Sequence, residues 1–193
     1  MNAMMPNDAK PPEPSYRHLT GIAESLAAID EVIAVAERTL RIFDVSLAGR
    51  GFNSPARAEK LRQLLVRSRS HRILIALHDT DPLERECPRL LVLLRQFPMS
   101  IEIHRTVGQA RQARDPFVLA DDRSVWHQLH VERPRTIVAL HSPADATPIS
   151  QRFDEIWDLS EPAVSATTIP LIWPKRIPPP AVSTRTSPPQ RRM

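Results

Sequence analysis

The order and spacing of short apolar runs constrain the fold of this 193-residue chain more than any other feature. The first three runs are separated by segments long enough to hold a helix, and they lie at 40–46, 71–78 and 100–105. Strands joined through helices lie parallel, with right-handed crossovers. The last three runs are joined by turns of three or four residues, and they lie at 116–120, 124–131 and 135–141. Such short links predict antiparallel neighbours.

Helices are predicted between and around these strands. Apolar residues recur every three or four positions over 19–40, which predicts a helix with Thr20 as its N-cap. Ser54 and Pro55 are typical of a helix start. Pro88 restarts a helix in the segment that runs from Asp81 to Phe97, and a last helix is predicted over 148–160. The chain is therefore predicted to be α/β, with a mixed, mainly parallel central sheet flanked by helices.

Proline content marks the ends of the folded region. Of the 20 prolines, four fall in residues 1–15 and eight in 162–193. We therefore expect a disordered leader over 1–15, a single α/β domain over 16–161 and a Pro/Arg-rich disordered tail over 162–193. The apolar segment 168–173 (TIPLIW) is the exception within that tail, and we expect it to dock on the fold.

The net charge of +4 is concentrated in the tail, where residues 175–193 carry five positive charges and no acid. Residues 16–174 hold 20 basic and 20 acidic residues, which argues against a nucleic-acid-binding face on the domain. Weak nucleic-acid contact through 175–193 remains open. No apolar run approaches the length of a membrane span, the N-terminus does not have the pattern of a secretory signal, and a lone Cys87 allows no internal disulfide. These features predict a cytoplasmic protein.

The segment from Arg114 to Asp121 (RDPFVLAD) resembles the signature of the phospholipase D superfamily. That signature is His, any residue, Lys, four usually apolar residues and Asp, so Phe-Val-Leu-Ala and Asp121 match its second half. The order of elements over 38–160 and the closing Phe153–Trp157 are also similar to members of that family. The resemblance implies one half of the family's α-β-α sandwich.

The first half of the signature departs from the family. Arg114 stands at the position of the His that attacks phosphorus, and Pro116 at that of the Lys that holds phosphate oxygens. Gln128 and Leu129 replace the Gly-Ser that usually follows. A permanently charged guanidinium is no nucleophile, and proline has no side-chain donor. The family also needs two signatures, whereas this chain has one, so the resemblance predicts a degenerate bacterial domain with no catalytic residues and no cofactor.

A ligand site is predicted where the parallel strands end, because open α/β sheets bind ligands outside their carboxyl ends. The candidate anion-binding residues there are Arg50, His78, His104, Arg105 and Arg114. The alternative is that the arginines are solvated loop residues. His127 and His130 lie three apart on a predicted strand and face opposite sides, so no metal site is expected. Cys87 precedes a helix start, an environment that can lower a thiol pKa.

The sequence favours a binding or scaffolding role with an unknown protein partner. Two alternatives remain: a phosphodiesterase or nuclease that uses other residues, and a nucleic-acid-binding accessory protein. A homodimer is also possible, because the apolar stripe of the first helix is narrow enough to form a seam between two copies.

Overall fold

The computed structural model describes residues 12–166, which form an eight-stranded sheet flanked by helices. The strands are β1 (Ser15–Leu19), β2 (Thr39–Asp44), β3 (Arg72–Leu77), β4 (Ile101–Thr106), β5 (Phe117–Ala120), β6 (Ser124–His130), β7 (Arg133–Leu140) and β8 (Ser160–Val164). The helices are α1 (Ile22–Ala34), α2 (Pro55–Arg67), α3 (Leu83–Glu86), α4 (Pro88–Gln96) and α5 (Pro143–Asp158), with a 3₁₀ helix at Gly108–Gln112.

The strand order is β1-β7-β6-β5-β2-β3-β4-β8. Strands β2, β3 and β4 are parallel neighbours, and every other pairing is antiparallel. The predicted mixed α/β sheet is confirmed, but the prediction that it is mainly parallel is wrong. The reason is that β5 pairs directly on β2 and that two unpredicted strands, β1 and β8, extend the edges with antiparallel ladders.

Helices cover both faces of the sheet, and we name the faces by the helices that cover them. On the α1/α2/α4 face, apolar side chains of those helices pack on strand residues such as Ile42, Ile75 and Trp126. On the α5 face, Phe153 and Ile156 pack on Phe43, Phe117 and their neighbours. Side chains of a strand alternate between the two faces, so consecutive residues such as Ile42 and Phe43 belong to different cores.

Helix α1 is shorter than predicted and its stripe is occupied. It begins at Ile22 with Gly21 as the N-cap, not Thr20, because β1 takes the residues up to Leu19. Its buried stripe, which includes Ile29 and Ile33, packs on the sheet. That stripe is therefore not available as a seam between two copies.

Helix α5 begins five residues before the predicted start. Pro143 occupies its first turn, where a missing N–H costs nothing, and Pro148 lies inside the helix. The Ser142 hydroxyl donates to the Asp145 carboxylate at 2.5 Å across the first turn. The sequence suggested Pro148 as the start because either proline fits a first turn.

The first strand begins at Ser15 and the last strand ends at Val164. Residues 162–164 of the predicted tail therefore belong to a strand. Most of the predicted leader and tail, including 168–173, lies outside the described residues. Within 12–166, no helix is long and apolar enough to cross a membrane.

Candidate functional site

The loops that follow β2, β3 and β4 meet the start of β5 at one edge of the sheet, which we call the carboxyl edge. The loop after β2 reverses through Gly49 and Gly51, whose φ angles of 70° and 77° favour glycine. Arg57 of α2 holds this loop by donating to the carbonyl of Arg50 while it pairs with Asp30 at 2.7 Å. The loop is thereby fixed with Arg50 directed over the sheet.

Arg50 lies in a polar network on the α1/α2/α4 face. Its Nε donates to Asp44 Oδ2 at 2.7 Å, and its Nη1 donates to Gln128 Oε1 at 2.7 Å. The guanidinium also lies 5.5 Å from the ring centroid of Trp126. The Gln128 amide donates to three carbonyls of the β6–β7 turn, those of His130, Val131 and Arg133. Gln128 therefore links Arg50 to that turn.

Asp44 is the buried end of this network, with its residue only 4% exposed. Burial raises the pKa of Asp44, and the adjacent Arg50 and the backbone N–H groups of Val45 and Ser46 oppose that rise. A buried carboxylate needs such partners, because an unpaired one is costly. The positive charge of Arg50 is thus already matched within the protein.

His78 is buried at the end of β3 with both ring nitrogens bound. Nε2 lies 2.7 Å from the Ala113 carbonyl, which can only accept, so Nε2 carries the proton. Nδ1 then accepts from the Thr106 hydroxyl at 2.6 Å. Burial lowers the pKa of His78; the Ala113 hydrogen bond opposes that, and the nearby charges of Arg114 and Arg111 lower it further. The ring is therefore neutral and structural.

His104 and Arg105 are directed to opposite faces of β4. The His104 ring stacks on Trp157 of α5 with centroids 3.8 Å apart, and burial lowers its pKa against the opposing charge of Glu102. Arg105 donates to Thr80 Oγ1 at 2.6 Å and to Asp81 Oδ1 at 2.9 Å. It lines a pocket of about 370 Å³ that two acidic residues also line, which does not favour an anion.

The structure does not bring the five candidate residues into one pocket. Arg50 lies over Trp126 on the α1/α2/α4 face, whereas His78 and His104 contact aromatic rings in the core of the α5 face. Arg105 is held by the loop after β3. Arg114 is exposed, and its guanidinium has no hydrogen-bond or ion-pair partner within the described residues.

The residues that resemble the signature lie at both ends of β5. Pro116 is buried just before the strand, and its carbonyl accepts from the Gln128 N–H at 2.8 Å. Asp121 follows the strand at the opposite edge of the sheet, with φ of 52°. Its carboxylate accepts from the backbone N–H of Glu37, of Arg38 at 2.9 Å and of Thr39 at 2.6 Å. Asp121 therefore fixes the turn into β2 rather than facing the carboxyl edge.

Sequence reasoning missed a second charged cluster, on the α5 face. Asp115 accepts two hydrogen bonds from Arg152, at 2.7 and 2.8 Å, and lies 3.6 Å from His127 Nε2. Burial would raise the pKa of Asp115, but the contacts with His127 and Arg152 outweigh it and hold the pKa well below its usual range. Asp115 precedes β5, His127 lies on β6 and Arg152 on α5, so no local spacing signals the cluster.

Two chemistries lack support in the geometry. Cys87 is buried, and burial together with Glu86 raises the pKa of its thiol to about 11, so the helix start does not lower it. Among residues 12–166, no group of three or more His, Cys, Asp or Glu side chains is placed to hold a metal ion. His127 is instead directed at Asp115, as described above.

Residues 22–167 match the sequence pattern of a family described as a domain of unknown function, DUF7931. The chain belongs to the DUF7931 family. No curated protein matches this DUF7931 chain at the level of sequence.

Solved structures place the DUF7931 domain among phospholipase D-like folds. It is similar to the phospholipase D family member Nuc from Salmonella typhimurium, with a TM-score of 0.58 and 13% identity over 79% of this chain and 100% of Nuc. It is also similar to the archaeal chromatin protein TrmBL2, with a TM-score of 0.56 and 14% identity over 77% of this chain and 54% of TrmBL2. A phosphatidylserine synthase from Haemophilus influenzae matches with a TM-score of 0.50 and 15% identity, over 81% of this chain and 41% of the synthase. At these identities the likeness concerns the fold, and it confirms the resemblance at that level.

Proposed function

We propose that this DUF7931 domain is a non-catalytic binding or scaffolding domain that keeps the phospholipase D fold without its chemistry. One observation carries the proposal. The positions that resemble those of the attacking His and the phosphate-holding Lys are occupied by exposed Arg114 and buried Pro116. Neither side chain can attack phosphorus or replace a lysine ammonium at a phosphate.

The polar network beside these positions supports the same proposal. Gln128 stands at the place of the usual Gly-Ser. Its side-chain N–H groups donate to the β6–β7 turn, and its side-chain oxygen accepts from Arg50. Arg50 in turn neutralises Asp44. Because Asp44, Arg50 and Gln128 are bound to one another, these three side chains stabilise the edge and are not free to act as a nucleophile or a general base.

The binding role is assigned to the exposed arginines at the carboxyl edge. Arg111 and Arg114 both lie close enough to His78 to disfavour its protonation, and neither side chain has an ion-pair partner within residues 12–166. Two uncompensated guanidinium groups that both lie near His78 favour a phosphate or carboxylate on a partner. Of the five residues predicted for anion binding, Arg114 is the one that keeps this role.

Phosphate titration followed by thermal unfolding tests this assignment. We expect phosphate to raise the Tm of the wild type, and the Arg111→Ala, Arg114→Ala double variant to lose that increase. Arg69→Ala, an exposed arginine outside the edge, is the matched control and should behave as the wild type. Equal increases in all three proteins would contradict an anion site at Arg111 and Arg114.

A second candidate function is nucleic-acid binding, and two observations favour it. The similar structure of TrmBL2 is described as that of a chromatin protein with a novel mode of DNA binding, and residues 175–193 of this chain carry five positive charges. Loss of DNA retention on deletion of 175–193 would place binding in the tail. Loss in an Arg50→Ala, Arg114→Ala variant would place it on the fold, and no retention by the full chain would exclude this function.

The competing enzymatic proposal is a phosphodiesterase that uses other residues. His104 is its best candidate base, yet the ring is stacked on Trp157. Metal-independent cleavage of a bis-aryl phosphodiester that disappears in His104→Ala would support this competitor. Absence of turnover by the wild type would support the binding role.

A further inference from the structure

A groove with an apolar floor lies beside the last described strand. It has a volume of about 190 Å³ and runs between α4 and the strands β4 and β8. Leu94, Ile101 and Ile103 form its floor, and the exposed prolines Pro98 and Pro162 stand at its sides. Apolar grooves of this kind at the end of a sheet suit an extended apolar segment.

The described part of the chain ends at this groove. Strand β8 runs antiparallel to β4, with Ser160 opposite Thr106 and Val164 opposite Ile103. β8 therefore pairs with four of the six residues of β4 and leaves the edge at Ile101 open. The last described residues, 165 and 166, already line the groove. The residues that follow start from this position.

The next segment of the chain has the matching chemistry. Residues 168–173 read Thr-Ile-Pro-Leu-Ile-Trp, which is five apolar side chains in six positions. Leu171 is five residues beyond the described chain, so it can reach at most about 17 Å, enough to lie over the groove. Lys175 and Arg176 follow, and Glu102 lies at the border of the groove, so the charges are complementary as well.

We propose that residues 168–173 dock in the groove beside β8 and so anchor the basic tail at this edge of the sheet. The occupant is this chain's own segment, because the described chain ends at the groove, the segment that follows in sequence is apolar like the floor, and the residues after it are basic whereas the border carries Glu102. This inference is independent of the proposed binding function, since the groove shares no residue with the arginine pair at the carboxyl edge.

Intramolecular cross-linking in the full chain tests the docking. In a Cys87→Ala background, Pro98→Cys is combined with Leu171→Cys and treated with a short bismaleimide. We expect rapid cross-linking within one chain, and a reduction in rate of about tenfold or more when Ile169→Asp and Ile172→Asp are added. The matched control pairs Leu171→Cys with Tyr16→Cys on β1, seven strands away at about 34 Å, and should not cross-link.

Trypsin cleavage of the wild type provides a second measurement. Docking should slow cleavage after Lys175 and Arg176 by about tenfold relative to Arg185, which serves as the control site in the same tail. When Ile169→Asp and Ile172→Asp are added, cleavage after Lys175 and Arg176 should become as fast as cleavage after Arg185. Cross-linking that is insensitive to these aspartates would overturn the proposal, and so would cross-links that join two copies, because either shows that the segment does not occupy its own groove.

Discussion

Arg50 Nε lies 2.7 Å from the buried Oδ2 of Asp44, so the arginine after β2 serves the protein's own carboxylate. The side chain of Arg50 is 16% exposed and that of Asp44 is 5% exposed. An ion pair this buried is costly to break, because removal of one partner leaves the other charge unpaired. Because the Arg50 guanidinium is paired with Asp44, its positive charge is not free to bind a phosphate.

Replacement of Arg50 by methionine should destabilise the fold by about 3–5 kcal/mol, the cost of breaking a buried pair. Burial raises the pKa of Asp44, and loss of Arg50 removes the main opposing charge. The Asp44 carboxylate of the folded variant therefore takes up a proton more readily than that of the unfolded chain. The difference in the free energy of unfolding between the variant and the wild type should shrink as the pH falls. Urea unfolding at pH 8 and at pH 5 measures both effects.

The control for this prediction is Arg105→Met. Its side chain is 45% exposed and its partner Asp81 is 86% exposed, so its loss should cost less than about 1 kcal/mol. Equal losses in the free energy of unfolding for Arg50→Met and Arg105→Met would show that the ion pair with Asp44 does not stabilise the carboxyl edge.

Asp121 is predicted to be a structural residue. Asp121→Ala leaves the backbone N–H groups of residues 37–39 without their acceptor and should destabilise the fold by about 1–3 kcal/mol. Asp122→Ala is a close control, because that neighbour also has a positive φ, of 54°, but pairs only with Arg41 in an exposed position. Thermal unfolding of the two variants gives the comparison, and an Asp122→Ala variant as unstable as Asp121→Ala would contradict this role.

The central elements were predictable from sequence because each buries a regular apolar pattern. β2, β3 and β4 end within two residues of the predicted runs, and α2 begins after Ser54 as its sequence indicates. The edge strands were not predictable. In β1 only Leu19 is buried, and β8 has no buried residue and contains Pro162, so neither shows the alternation by which a strand is recognised.

The site was less predictable than the fold, because side-chain partners come from distant parts of the chain. Arg50 and Gln128 are 78 positions apart, and Asp115 and Arg152 are 37 apart. The sequence correctly placed Arg50 and His78 just beyond the ends of β2 and β3, whereas His104 lies inside β4, opposite Ala76. It did not show that the sheet directs Arg50 to one face and the two histidines to the other.

His78 should make the stability of the protein depend on pH. Its folded pKa is lowered by burial, so below the ordinary histidine pKa of about 6.5 the unfolded chain binds the extra proton and the free energy of unfolding falls. The expected slope is at most about 1.4 kcal/mol per pH unit. His78→Gln, which can still donate to Ala113 and accept from Thr106, should flatten the slope between pH 7 and pH 5. Identical slopes in chemical unfolding would contradict a neutral buried His78.

Cys87 should be unreactive in the folded protein. Burial and Glu86 raise its thiol pKa to about 11, so the thiolate population at neutral pH is very small. We expect a chromogenic thiol reagent to modify Cys87 only after denaturation. Rapid modification of the native protein would show that the segment between α3 and α4 opens, or that the thiol is activated.

The most direct test of the account is phosphodiester turnover by the purified full chain, read together with a search for phosphohistidine during the reaction. The binding or scaffolding role predicts no cleavage of a bis-aryl phosphodiester above the rate without protein, and no phosphorylated histidine. Turnover that proceeds through a phosphohistidine would contradict the role proposed for Arg114 and Pro116 and would place this domain among the active phosphodiesterases.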